Sequence, residues 1–433
     1  MSFFYHLLSG INHFLWNGPI LVLLLATHCF FTLRLGFIQR RLPSALRLTG
    51  TKEKKQGFRS LTTALAATLG TGNIVGVSSA IALGGPGAVF WCWLTGLFGM
   101  ATSYAECYLC MQHRKKDSDG IVRGGIMYVL EYALKSKTAG CIFAFLLLTA
   151  SFGIGCSTQA GTVTETVTSL TGISPVVTGA FLVLFVGYVI LHGSAAISKL
   201  CSLLVPAMAL LYFLACVLIL YLNHNYLFPA LRQIITSAFT PTAALGGITG
   251  GSFLLSARYG IARGLFTNEA GIGTAPLAFV EDKESSPHKA ALLSMSAVFW
   301  DTVILCALTG IVIVSTLLRN PTLALSYTPT TLTSAAFSLL PCGELILGIS
   351  LIAFAYATLI GWSYFGARAV HYLFGKRALP TYRICYLGMV FLGSVLSLPL
   401  IWELTDFLNA CMVLPNVFAL FCLHRTIQPP KDV

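Results

Sequence analysis

Charge is scarce in this chain. Asp, Glu, Lys and Arg make up 10% of its 433 residues, against roughly 25% in soluble domains, while 56% are hydrophobic. That imbalance excludes a soluble globular fold and predicts a polytopic protein embedded in a lipid bilayer. The N-terminus lacks the basic start and small-residue cleavage site of a secretory signal, so the first apolar segment is expected to be retained. No Gly-x-x-x-x-Gly-Lys-[Ser/Thr] occurs and no loop could house a nucleotide-binding domain, which excludes ATP-driven transport. A nucleophile elbow, a metal pair and paired carboxylates are missing too, so no enzyme is expected and no cofactor is implied. Nor is there the ring-forming filter motif or dense pore charge of a channel, which leaves an amino-acid channel as the weaker alternative to a carrier. The nine His residues show no metal-ligand spacing, and Cys107 with Cys110 makes one CxxC without a second pair. The other thiols sit mostly in apolar runs, where they behave as small hydrophobes.

What is present is a series of apolar runs. Runs of roughly 20 residues suffice to span the hydrocarbon core. They occur near 17–38, 60–84, 88–112, 140–168, 174–192, 199–221, 240–260, 289–317, 343–367, 383–400 and 402–423, predicting eleven transmembrane helices. With the N-terminus outside and the C-terminus cytoplasmic, 25 of the 27 Lys and Arg residues fall on the inner side, leaving only Arg232 and Arg319 outside. The net charge of +12 is therefore topological, and no nucleic-acid partner is needed.

Two of the runs are interrupted. Thr62–Gly87 is long enough to cross a bilayer, yet it contains Gly70-Thr71-Gly72-Asn73, and glycine is costly inside a helix while Asn competes for backbone hydrogen bonds. Such a break is tolerated only where its freed backbone groups face protein, water or a ligand. The plainer reading is a small-xxx-small pair, Gly72 and Gly76, that lets two helices approach. The span 240–260 carries Gly246-Gly247-Ile248-Thr249-Gly250-Gly251. Setting the first helix aside, the breaks fall in the first and sixth of ten spans. Corresponding positions in two oppositely oriented halves are the pointer to an inverted-repeat secondary transporter with a midplane site. The expected organisation is one transporter domain, 1–433: an extra helix at 17–38, then repeats at 60–222 and 235–423.

The segments TLGTGNIVGVSSAIALGGPGAVFW (68–91), GGIMYVLE (124–131), ARGLFTNEAGIGTAP (262–276), WDTVILCALTG (300–310) and TLIGWSYFG (358–366) resemble the signatures of the alanine or glycine:cation symporter family. The likeness runs from about Leu33 to Leu423. It implies sodium-coupled, sometimes proton-coupled, import of alanine or glycine across a bacterial or archaeal inner membrane. The fold it implies is all-α and LeuT-like (APC superfamily), five plus five helices with one extra N-terminal helix. Sodium enters as a co-transported ion.

An amino-acid zwitterion needs donors for its carboxylate and acceptors for its ammonium. A half-helix N-terminus beyond the first break supplies donors, which assigns the carboxylate to Thr71, Gly72 and Asn73, where the resemblance also places substrate contacts. By resemblance Gln159 touches substrate; read alone, it is equally a helix–helix hydrogen bond worth roughly 0.6 kcal/mol. Relatives often carry Asn two residues later, where this chain has Gly161. Carbonyls from Gly247 to Gly251 would receive the ammonium or a cation, with Phe253 a candidate pocket wall or simply a packed side chain. Resemblance sets Tyr356 and Ile360 beside the substrate, position 356 being commonly Trp. Analogy with the fold places sodium among the carbonyls of Ala66, Leu69 and Ala357 and the Thr358 hydroxyl. Glu106, Asp301 and Asp406 are acidic groups within spans, where charge is expensive, and are expected to gate or brace rather than ligate. An inner loop from Arg263 to Pro276, with Arg263, Asn268 and Glu269 beside Gly271 and Gly273, is read either as a linker or as a cytoplasmic gate.

Overall fold

The computed structural model describes residues 2–48, 55–116, 122–240, 253–282, 285–323, 328, 331–396 and 399–430. Among these the regular structure is helical apart from one antiparallel ribbon, Lys115–Lys116 against Val122–Arg123. A helix satisfies every interior backbone group within itself, which is what an apolar surrounding demands.

The main helices, short turns aside, are α1 (Ser2–Asn17), α2 (Pro19–Arg34), α3 (Lys55–Thr68), α4 (Val75–Gly84), α5 (Ala88–Gln112), α6 (Lys137–Phe152), α7 (Thr158–Thr171), α8 (Pro175–Leu191), α9 (Ser194–Leu222), α10 (His224–Ser237), α11 (Phe253–Asn268), α12 (Pro287–Val298), α13 (Ala307–Arg319), α14 (Gly343–Phe374), α15 (Leu379–Val395) and α16 (Pro399–Cys422). Seven helical stretches among the described residues are long and apolar enough to cross a membrane, or eight if the bent pair α3–α4 counts as one span. The hydropathy reading expects eleven; α8 and α11, at 17 and 16 residues, fall short in length, and α5, at 25 residues, falls short in hydropathy. Two π-helical turns are built into long rods: Gly153–Ser157 joins α6 to α7, and Phe299–Cys306 joins α12 to α13.

The N-terminal element is longer than expected. It starts at Ser2 rather than near residue 17 and meets α2 at Gly18, where Pro19 takes the helix position whose N–H has no partner anyway. α1 packs on α16, with Asn12 donating to Glu403 (2.7 Å) and Trp16 to the Asp406 carbonyl (3.1 Å). α2 packs on α5, a deeply buried rod whose residues 99–111 are all covered. Around α5 gather α4, α11 and α12; α14 forms a second centre against α3, α6, α7 and α9.

Among the described residues a second interruption lies at 269–274, within the stretch that the sequence reads as an inner loop. The Gly246–Gly251 stretch, with Gly247, lies outside the described residues. α11 starts at the far end of α4 and α5: the Phe253 ring is 5.6 Å from Trp91, and Ser256 donates to the Gly84 carbonyl. It ends at Asn268, beside the first break. There the helix stops in a buried segment with positive φ at Glu269, Gly271 and Gly273, followed by a 3-10 turn, Ala275–Ala278. Arg258 and Arg263, counted above on the inner side, are therefore inside a helix, and what the hydropathy reads as an inner loop is a break packed within the bundle.

Candidate functional site

The first break forms as its composition dictates. α3 and α4 meet at 63°. Gly70 is extended, its N–H reaches only the Thr68 carbonyl (2.9 Å), and Ile74 bonds to Thr71 (3.2 Å), so the regular ladder lapses between them. Leu69 to Asn73 are all buried. The Thr358 hydroxyl donates to the Leu69 carbonyl at 3.4 Å and to Phe354 at 3.0 Å. Gln159 donates to Ile154 across the π turn (3.3 Å), leaving its Oε1 buried without a partner. Both side chains face Gly70: a methyl there would stand 2.9 Å from Thr358 Oγ1 and 3.6 Å from Gln159 Oε1. α14 comes this close because Gly361 abuts Ala67. Ala66, Ala357 and Ile360 are buried in the same core cluster.

Asn73 turns elsewhere. Its Nδ2 donates to Asp301 Oδ1 at 2.7 Å and to the Asp301 carbonyl at 3.1 Å, while its Oδ1 is buried and unpartnered. Asp301 lies in the π turn after α12, fully buried, and takes the Thr302 hydroxyl on its other oxygen at 2.6 Å. Thr302 in turn is 3.3 Å from the Thr267 hydroxyl. Asn73, Asp301, Thr302 and Thr267 thus form one buried network between the two breaks. They are brought together because Gly72 lies against Phe266 and Thr267 at the end of α11.

The second break is held from outside itself. Glu106 of α5 accepts the Gly271 N–H (2.9 Å) and the Asn416 amide; that amide also donates to the Gly271 carbonyl at 2.8 Å. Asn268 caps the turn, accepting from Ala270 N (2.9 Å), and Thr274 donates to Glu269. Farther on, Glu281 forms an ion pair with Arg368 and accepts from Tyr364 (3.1 Å), tying the segment after the break to α14.

A cavity of about 1320 Å³ opens from the first break. Thr71, Gly72 and Gly76 form its base with Thr158, Gly161, Arg263 and Phe266, and it widens toward Leu170, Thr331, Glu344 and Leu396. The base carries the Thr71 and Thr158 hydroxyls beside glycine backbone and Arg263, with Phe266 as its apolar wall.

Other expected residues stand apart. Tyr356 points to α8, donating to the Phe185 carbonyl (3.0 Å), because position 356 lies on the α14 face opposite the break. Phe253 is 44% exposed at the far end of α11, so the aromatic beside the break is Phe266, thirteen residues on. Arg263 acts electrostatically on Asp406 of α16 and lines the cavity. Sequence reasoning missed Phe266, Thr267 and Asn416. The Arg-Gly-Leu-Phe lead-in to Asn268 and the two glycines after it were the available signal for the first two.

The family model for the sodium:alanine symporter family matches residues 1–429. The chain belongs to that family. It is 43% identical to the sodium/alanine symporter AgcS of Methanococcus maripaludis over 98% of this chain and 96% of that one. It is 34% identical to the probable sodium/glutamine symporter GlnT of Bacillus subtilis, over 98% and 89%. The fold is shared with a Na+-coupled sialic acid symporter in a substrate-bound outward-open state (TM-score 0.55, 13% identity, 96% of this chain and 100% of that one). It is shared as well with a mutant manganese transporter of Eremococcus coleocola (TM-score 0.53, 17% identity, 86% and 78%). Members of the sodium:alanine symporter family are transporters, not enzymes, and this chain is a multi-pass membrane protein.

Proposed function

We propose that this chain imports a small neutral amino acid, alanine or glycine, together with sodium, by alternating access in a LeuT-like five-plus-five fold of eleven spans, with the extra helix at the N-terminus. The observation that carries the reading is the meeting of the two breaks: Gly72 packs on Phe266 and Thr267, and Gln159 and Thr358 close on Gly70. The substrate carboxylate takes backbone N–H groups of Thr71 and Gly72 at the start of α4, where the helix dipole favours negative charge. Carbonyls freed at the second break take the ammonium. Sodium prefers hard oxygens, and two sets are at hand: the Leu69 carbonyl with the Thr358 hydroxyl, and Asp301 with Thr267 and Thr302. The second set redefines Asn73 as the donor that orients Asp301 instead of a direct clamp on substrate.

The clustering of Lys and Arg in the loops, Arg258 and Arg263 aside, supports a cavity whose wide end faces outside the cell. The opposite side is filled by the second break under α2, α5 and α16 and by the Arg368–Glu281 pair. That is an outward-facing arrangement. Turnover then requires the break to leave α5 and the ion pair to part.

The test is uptake of radiolabelled alanine into proteoliposomes under an inward sodium gradient without ATP. Accumulation above the external concentration is expected; equilibration without accumulation would leave a channel.

A further inference from the structure

We propose that Glu106 is a proton-carrying latch on the second break, ionising when that break swings away from α5 and regaining its proton when the break packs back. The proposal rests on the alternating-access reading and adds a ligand to it, a single proton at a site the substrate never touches.

The site is built. Gly99, Thr102 and Glu106 lie three and four residues apart and so stack on one face of α5. Against that face lies the break. Glu106 Oε1 accepts both the Gly271 N–H and the Asn416 amide, whereas Oε2 is buried with no partner. Three other buried side chains of the same pocket also have an idle polar atom: Asn416 Oδ1, His28 Nε2 and Asn268 Nδ2. His28 Nδ1 is 2.7 Å from Thr102 Oγ1, and His28 Nε2 and Asn268 Nδ2 are each 3.7 Å from where a Cβ on Gly99 would stand. Buried polar atoms are ordinarily satisfied, and each one left idle has to be accounted for.

The charges around Glu106 settle which form fits. From α2 comes His28, bonded to Thr102 one turn before it, and from the break Glu269, which in turn lies between Glu106 and Asp301. α12 offers His288, which engages Tyr104 on another face of α5; Glu106's own helix offers Cys107 and Cys110. Among the described residues no Lys or Arg pairs with it. A carboxylate buried among neutral donors and other acids carries a desolvation cost that no cation offsets, and a proton on the idle Oε2 removes that cost. When the break moves, water reaches the carboxyl, the proton passes to that water, and the ion is solvated. Repacking takes one proton back from the same side, so none crosses the membrane. The extra N-terminal helix gains a role here, since α2 seals the pocket with Leu24 and His28 against Gly271.

The full-length protein with Glu106→Gln, a permanent stand-in for the neutral acid, tests this in liposomes and in detergent. Sodium-dependent alanine binding is retained, exchange is slowed, and the parent's dependence of exchange rate on pH is lost. A variant that keeps the parent's pH profile, or a parent whose exchange ignores pH, overturns the latch. If the variant does not fold, infrared difference spectra of the parent on raising pH still decide: a protonated-carboxyl band should vanish, and Asn416→Ala should shift it. No such band, or one that Asn416→Ala leaves unmoved, overturns the proposal. Failure of the parent to take up alanine at all would instead strike the symport reading, while the infrared band would still judge the latch.

Discussion

The two breaks do the same thing to a helix with different materials. The first, Gly70–Asn73, has no residue at positive φ, is lined by hydroxyls and amides, and forms the base of the cavity. The second packs Glu269, Gly271 and Gly273, all at positive φ, beneath α2, α5 and α16. A relaxed segment facing a cavity suits binding, because its backbone groups await a partner. A constrained segment held by side chains from several helices suits a hinge, because releasing those ties changes its shape. On the proposed reading the contrast divides the labour: the first break holds the cargo's carboxylate and forms the base of its cavity, while the second, besides lending carbonyls to the ammonium, converts the cargo's arrival into motion.

The sharpest way to break that contrast is to add one methyl to each. Gly271→Ala places a side chain at φ +94° and against Leu24, which should cost about 1–3 kcal/mol of backbone strain before any repacking. The expected result is a clearly lowered melting temperature in detergent and no uptake. Gly70→Ala leaves φ ordinary but pushes its methyl on Thr358 Oγ1. It should melt near the parent while losing sodium-dependent binding. Equal melting of the two variants would erase the distinction.

Next in size is Asp301→Ala. It strips the acceptor from Asn73 and Thr302, and leaving such buried donors idle costs roughly 1–3 kcal/mol each. Sodium-dependent uptake should vanish with inserted protein at or somewhat below parental amounts, and Asn73→Ala should reproduce the loss of uptake. Transport surviving either change would detach this network from the coupling ion.

The first break was legible because glycine and asparagine in an apolar run have few other uses. The break at Glu269–Thr274 reads in sequence only as an inner loop or gate, because Gly246–Gly251 is richer in glycine and draws the composition argument to itself. What marks Glu269–Thr274 as a break is tertiary: Glu106 and Asn416, distant in sequence, bond to its backbone. Local patterning carries no such information. The same limit explains Tyr356 and Phe253. Both are aromatic residues on helices that do reach the site, but packing turns Tyr356 to the opposite face of α14 and sets Phe253 at the far end of α11. Thr358, set near Leu69 by analogy with the fold and not by local patterning, does bond to the Leu69 carbonyl. The long N-terminal helix α1 went unread because Ser2–Asn17 is amphipathic, its polar residues reaching Glu403 and Asp406.

Thr358→Ala should act more gently than either glycine change. It removes one hydroxyl from beside the Leu69 carbonyl, and a single hydrogen-bonding group of this kind is worth about 1 kcal/mol, several-fold in an equilibrium constant. Apparent sodium affinity should fall by that factor with alanine affinity at saturating sodium unchanged. Thr358→Ser should restore it.

The smallest effect tests the geometry from the other direction. Tyr356→Phe deletes a hydroxyl that reaches only the Phe185 carbonyl of α8, on the side of α14 away from Gly70. The expected loss is one partly exposed hydrogen bond, about 0.5–1.5 kcal/mol of stability, with no change in the alanine concentration for half-maximal uptake. A large change in that concentration would mean that α14 turns during the cycle and carries residue 356 toward the substrate. In that case the cargo-receiving break would be reshaped as the hinge moves, and the two breaks would no longer have separate duties.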